Sequence, residues 1–324
     1  MEGELSFPMV LAWAVPFFVA TVALEWWGVR KGVVAGRYDA RDALTSMTMG
    51  LGNLVTDLAF GALSVGALMW VWQFRLFDLT PTLLEGGAAG VAIVLFALLC
   101  QDFFYYWKHR FMHRIRWFWS AHVVHHSSEE YNLTTALRQP WNNHFTGLVL
   151  LSAPLVLLGF HPALFAFVAS LNLLYQYWIH TQAVGKLPRA FEFVMNTPSH
   201  HRVHHSTHPE HLDRNYAGIL IIWDRIFGTF AEEETRKGMR YGLVKNIGTH
   251  NPLRVAFAEM LAVLRDATRP GLSLRQRLGL AFAPPGWSPT GDHNRSEEIR
   301  ARYLGESREE DALLEIEAAR AADA

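Results

Sequence analysis

The sequence holds 16 histidines, and all of them except His250 and His293 fall between His109 and His211. Three clusters stand out: His109-Arg-Phe-Met-His113, His122-Val-Val-His125-His126 and His201-Arg-Val-His204-His205. On a helix, residues at i, i+3 and i+4 share a face, so each cluster aims two or three imidazoles at one point. Neutral imidazole is a ligand for first-row metals, and eight of them exceed the four that a tetrahedral zinc takes. Two metals fit the count better. Soluble di-iron bundles use Glu and Glu-x-x-His ligands, whereas these clusters bring almost no carboxylate, which points to a different di-metal class. The isolated His144, His161, His250 and His293 read as hydrogen-bonded structural residues.

The elements that must position these clusters are apolar. Of the 324 residues, 51% are hydrophobic and 13% aromatic, while charged residues reach only 18%, below the roughly 25% of soluble chains. A net charge of -1 and the lack of a basic stripe exclude nucleic acid as a partner. The single cysteine, Cys100, rules out a disulfide framework or a Cys-x-x-Cys site and leaves sulfur out of any metal shell.

Apolar runs predict an all-α, multi-pass membrane protein. The first, about Phe7 to Val29, has the roughly 20 residues a span needs and follows only Glu2 and Glu4, so it reads as a span and not a cleaved signal. A second runs from about Ala43 to Gln73 with Asp57 inside it, and its Gly and Ser suit close helix contact in lipid. A third, about Ala88 to Trp107, ends in Phe103-Phe104-Tyr105-Tyr106-Trp107, which reads as an interfacial aromatic belt before a polar, His-rich loop over 108–143. Two further runs, 145–160 and 164–179, are either a hairpin that enters and returns or two crossings. This organisation puts transmembrane helices in 1–87, a catalytic domain in 88–230 and a polar region in 231–324, with an amphipathic run near 253–264 and a charged, helix-like tail from about Glu297. The segments 30–42, 108–143 and those after His180 share one face. Lys and Arg concentrate there, so the positive-inside rule makes that face, and the histidine-rich di-metal site on it, cytoplasmic, whether of a bacterial inner membrane or of an endoplasmic reticulum.

The three clusters, in this order and separated by apolar segments, resemble the fatty-acid-hydroxylase and sterol-desaturase superfamily. The stretches HHSSEEYNLTTALRQ (125–139), NLLYQYWIHT (172–181), NTPSHHRVHH (196–205) and NYAGILIIWDRIFGTF (215–230) look most like its alkylglycerol-monooxygenase members. The resemblance covers roughly 100–245. It implies His109, His113, His122, His125, His126, His201, His204 and His205 as metal ligands, with His180 of the WIHT motif as a ninth; His200 is either a ligand or an outer residue that orients one. The family pattern carries an acid after the second histidine of the first box, where Arg114 stands here; Glu129 or Glu130 could supply a carboxylate instead, if they are not merely a solvated surface pair. Asp213 and Arg214 read as fixing the loop after the third box, and Asp224, an acid in an apolar run, is either a functional candidate or a fold-stabilising partner of Arg225 or another base.

The implied activity is that of a non-haem di-iron oxygenase. Two Fe ions, O2 and external electrons would hydroxylate or desaturate a C–H bond of a lipid, whether an ether lipid, a sterol or an acyl chain. The reductant would be tetrahydrobiopterin or a reductase or cytochrome. No Rossmann glycine fingerprint or haem motif is present, so the donor is expected to be a separate molecule. Two other classes use the same histidines: a zinc-dependent membrane hydrolase, and a non-catalytic metal-binding or scaffold protein.

Overall fold

The computed structural model describes residues 7, 10–234 and 238–306. Glu2, Glu4 and the tail beyond 306 lie outside them. The described residues form helices and no named strand, and four of the helices are long and apolar enough to cross a membrane. These are α1 (Val10–Arg30), α2 (Ala40–Trp72), and, after a short α3 (Thr80–Glu85), α4 (Gly87–Arg114), with α7 (Pro162–Ile179) the last. Between α4 and α7 lie α5 (Arg116–His126) and α6 (Ala153–Leu157). Beyond α7 follow α8 (Arg189–Val194), α9 (Pro198–His205), α10 (Ile222–Ile226), α11 (Pro252–Ala267) and α12 (Leu274–Phe282).

Local chemistry sets the starts of these helices. Asp39 caps α2, its carboxylate accepting from the amides of Arg41 and Asp42 at 2.9 Å, and Pro stands in the first turn of α7 and of α9, where a missing N–H costs nothing. The sides of the spans are apolar and bare: Leu58 is 88% and Trp13 80% exposed. In water such a surface would be unfavourable; in lipid it is the solvent-facing side.

Two sequence expectations are corrected here, and the structure describes a third segment that the sequence left open. The segment after Trp107 is not a loop, because α4 runs on unbroken to Arg114. Its 28 residues span ~42 Å, against ~30 Å of hydrocarbon, so His109 and His113 ride on a helical extension. The aromatic group 103–107 is not an exposed belt: Tyr106 is fully buried with its hydroxyl 2.9 Å from that of Thr229, and Phe103 and Trp107 pack on Trp223 and Phe227. These rings seat the 215–230 segment. The 145–160 run, left open between hairpin and crossing, is not one spanning helix: 3₁₀ turns and the five-residue α6 carry the chain from the α5 side, where Trp117 Nε1 meets Thr146 O at 3.0 Å, to the end where α7 begins. It folds back on the α2–α3 connection through Leu76 N–H to Leu157 O (2.7 Å). Gly159, at φ 103°, lets the chains touch, since a Cβ there would lie 2.5 Å from Phe77 O.

α1 and α7 run in parallel, joined by Tyr177 to Thr21 at 2.7 Å, and α2 starts where they end. The ends of α1, α4 and α7, the start of α2 and the whole of α5 and α9 therefore meet on one face, as the side count anticipates. α11 and α12 cover α5 from outside, with Arg116 bridging Glu259 (2.8 Å) and Asp266 (2.9 Å).

Candidate metal centre

Nine buried histidines converge at this meeting point, in two groups. His109 and His113 from α4, His122 and His126 from α5 and His204 from α9 form one. His125 from α5, His180 at the end of α7, and His201 and His205 from α9 form the other. Within each group the nitrogens lie within 4.8 Å of one another. Helical spacing explains the division: 122 and 126 are one turn apart, and 125 sits about a third of a turn round, so α5 serves both groups. α9 does the same with 204 against 201 and 205.

What stands behind each ring decides which nitrogen faces inward. The Nδ1 of His109 meets Tyr216 O at 2.7 Å, that of His204 meets Arg214 O at 2.8 Å, that of His180 meets Gln176 O at 2.7 Å and that of His125 meets Arg138 O at 3.2 Å. A carbonyl only accepts, so in each of these rings Nδ1 carries the proton and Nε2 presents a bare lone pair. The Nε2 atoms of His125 and His180 then face each other at 3.1 Å with no hydrogen between them. His180 and His201 stand at 3.0 Å, His109 and His122 at 2.9 Å, and His122 and His126 at 3.1 Å. Nε2 of His113, His204 and His205 and Nδ1 of His201 are buried without any partner. Converging lone pairs and orphaned nitrogens are unfavourable alone and favourable around a cation.

Burial, and after it the mutual repulsion of neighbouring rings, holds His122, His126, His201, His204 and His205 well below the usual imidazole range, and burial pushes His125 down to about 4. All six are neutral at neutral pH, the form that binds metal.

The acidic residues singled out in the sequence lie outside both groups. Asp213 Oδ1 stands 3.3 Å from His113 Nδ1, and its other oxygen is 3.3 Å from Arg114 Nη1. Burial pulls this carboxyl upward, but the bond from His113 and the Arg114 charge win and hold it below the ordinary value. Asp213 thus orients a ring, a role the sequence reading did not give it. Arg114 also pairs with Glu297. Glu129 is exposed and Glu130 faces Arg37 at 3.6 Å, so neither reaches the histidines. His200 points away, its Nε2 4.0 Å from Glu192. Asp224, pushed up to about 6 by burial, accepts from the amides of Tyr216 and Ala217 at 2.8 Å and from Thr229, not from Arg225. His144, His161 and His293 are hydrogen-bonded structural residues as expected: His144 bridges Ser64 and Asp57, His161 caps α7, and His293 accepts from the Ser288 amide.

Several supports escaped the sequence reading. Asp102 of α4 accepts from the amides of Ile219 (2.7 Å) and Leu220 (3.0 Å), from Trp223 Nε1 (2.9 Å) and from Asn172 (2.9 Å). Its signal was available: an acid ending an apolar run. Arg202, between the ligating positions of α9, is fully buried and bidentate to Glu233 at 2.6 and 2.9 Å. Arg138 holds Asp42 at 2.8 Å and so ties the loop behind His125 to the start of α2. Asp213 and Asn215 take positive φ (57° and 54°), a turn that lets Asp213, Arg214 O and Tyr216 O each meet a different ring.

The fatty acid hydroxylase family model matches residues 94–229, the stretch that supplies all nine histidines. Among curated proteins the chain is 39% identical over 285 residues to alkylglycerol monooxygenase of Homo sapiens, a match covering 85% of this chain and 59% of that one. It is 38% identical to the Danio rerio protein of the same name, over 87% of this chain and 60% of that one. A more distant relative is the ornithine lipid hydroxylase OlsE of Rhizobium tropici, at 28% over 42% of this chain and 41% of that one. The chain spans about three fifths of the length of the first two. No solved structure matches it.

Proposed function

We propose that this chain is a membrane-bound di-iron monooxygenase that hydroxylates a lipid C–H bond, with the nine histidines holding the two metals. The observation that carries this reading is the face-to-face approach of His125 and His180, two buried, bare Nε2 atoms 3.1 Å apart. Only a shared cation makes that arrangement favourable. The number of donors also bears on which centre: nine imidazoles in two groups exceed the four ligands that one tetrahedral zinc takes, which favours a pair of metals over a single-zinc hydrolase.

Bound there, a pair of irons would supply reductive activation of O2, with two electrons and two protons from an external donor turning R–H into R–OH and water. The chain's own work is placement. Carbonyls of Arg138, Gln176, Arg214 and Tyr216 and the carboxylate of Asp213 lock the rings, and the buried Tyr131, Val203 and Tyr216 exclude water around them. The likeness to alkylglycerol monooxygenases supports an ether lipid as substrate. We place the centre on the cytoplasmic face, where the basic 30–42 segment also lies.

Metal analysis of the detergent-purified chain tests the proposal. About two irons per chain are expected, with loss in His125→Ala, from one group, and in His204→Ala, from the other. About one zinc, or metal unaffected by both substitutions, would sink it.

A further inference from the structure

α11 and α12 cover α5 from outside, and each leaves one apolar face uncovered. On α11, Val255 and Ala256 are buried against Met49 of α2 and Val123 and Val124 of α5, while Leu253, Leu261 and Leu264 stand 46% to 62% exposed. Their spacing, i, i+8 and i+11, puts these three on a single helix face. On α12, Leu274, Leu278 and Phe282, at i, i+4 and i+8, make a second such stripe and are 49% to 71% exposed.

An arginine borders each stripe. Arg254 precedes Leu261, and Arg275 precedes Phe282, by two helical turns, so each lies at the edge of its apolar face. Both arginines are exposed, and neither side chain has an ion pair or hydrogen bond among the described residues. The two acids of the 252–282 segment, Glu259 and Asp266, are turned to Arg116, and Arg265 and Arg269 also reach Asp266. Five arginines against two acids leave the helix pair basic.

The level of this surface follows from α2. Counted back from Trp72, ~20 residues cross the hydrocarbon, which ends near Asn53, and a headgroup layer of ~6 Å then reaches Met49. α11 packs on Met49 itself, and Leu51, one residue beyond Gly50, is 66% exposed. α11 therefore meets the spans at headgroup level.

Six large apolar side chains beside unpaired arginines, at the height of the lipid phosphates, are complementary to a lipid surface. We infer that α11 and α12 lie in the membrane–water interface, their two stripes among the lipid chains and Arg254 and Arg275 on the phosphates of anionic lipids. The inference does not depend on which metals are bound. It bears on the metal centre all the same, since α5, which carries His122, His125 and His126, is then held between the spans and a lipid-bound helix pair.

Fluorescence of the full chain in lipid nanodiscs tests the inference. In a Cys100→Ser background, an environment-sensitive dye is attached at Leu261→Cys and Leu278→Cys on the stripes, and at Ala258→Cys, which is exposed on α11 beyond the arginines. Spin-labelled lipid should quench the two stripe labels, and acrylamide should quench them about threefold less than the label at 258. That difference should be larger in discs containing phosphatidylglycerol than in pure phosphatidylcholine, and Arg254→Gln combined with Arg275→Gln should remove the lipid dependence. Equal acrylamide quenching at all three positions would put the helices in water. Protection from acrylamide without quenching by the lipid would mean that a second copy covers the stripes. Either result would overturn the inference, as would a position that ignores lipid charge or a lipid dependence that survives the double substitution.

Discussion

An imidazole can meet a metal through either nitrogen, and here the partner behind the ring makes the choice. Four rings rest on backbone carbonyls, and His113 alone rests on a side chain, Asp213, 3.3 Å away. A carboxylate behind the ring fixes its orientation and raises its basicity, and losing such a partner costs ~10–100-fold in metal affinity. Asp213→Ala should therefore weaken metal binding in the five-histidine group by about that factor and leave the four-histidine group intact, while Asp213→Asn falls between. Iron per chain during titration with a chelator would show it as one early loss followed by one at the wild-type position. Simultaneous loss of both metals would mean that Asp213 holds the fold and not the ring.

At the scale of elements, α9 is the hub, since its eight residues serve both groups. It is held by Arg202, which reaches Glu233 and the carbonyls of Thr181 (2.9 Å) and Val184 (2.7 Å) and so clamps the end of α7, with His180, to the chain beyond the third box. Arg202→Met would leave Glu233 buried without its partner, a change that costs about 3–5 kcal/mol. The expected outcome is a lower unfolding temperature in detergent and early loss of the four-histidine metal; unchanged stability would refute the clamp. Little of this was legible in the sequence. Spacing alone brought out the three boxes, because i, i+3 and i+4 are local. His180 came only through resemblance, as a lone histidine carries no spacing. The division into five and four mixes the boxes, and Asp213, Asp102 and Arg202 act across 100, 117 and 31 residues of chain, so local pattern has no access to their partners, even where, as for Asp102, an acid ending an apolar run marks the residue itself. The spans were legible from composition, but the continuation of α4 past Trp107 was not, because polarity ends a hydrophobic run without ending a helix.

For the whole molecule, the question is which way the assembly faces. Apolar residues such as Leu58, Trp13 and Leu51 ring the spans. The metal centre, the 31–39 turn and the described residues after α7 stand at one end, while the α3 turn stands at the other. Lys31 and Glu85 are both exposed and lie at these opposite ends. Cys100 is the only cysteine, so a Cys100→Ser background allows single reporters at Lys31→Cys and Glu85→Cys. If Lys and Arg set orientation, a membrane-impermeant maleimide should label Glu85→Cys in intact bacterial cells, with any outer membrane made permeable, and should label Lys31→Cys only after the inner membrane is opened. The reverse pattern would put the histidines outside, away from cytoplasmic reductants, and would count against a donor from that compartment even if both irons were found. Labelling of both in sealed cells would mean that the spans do not seal the two ends apart, which the ~30 Å apolar length of each long helix argues against.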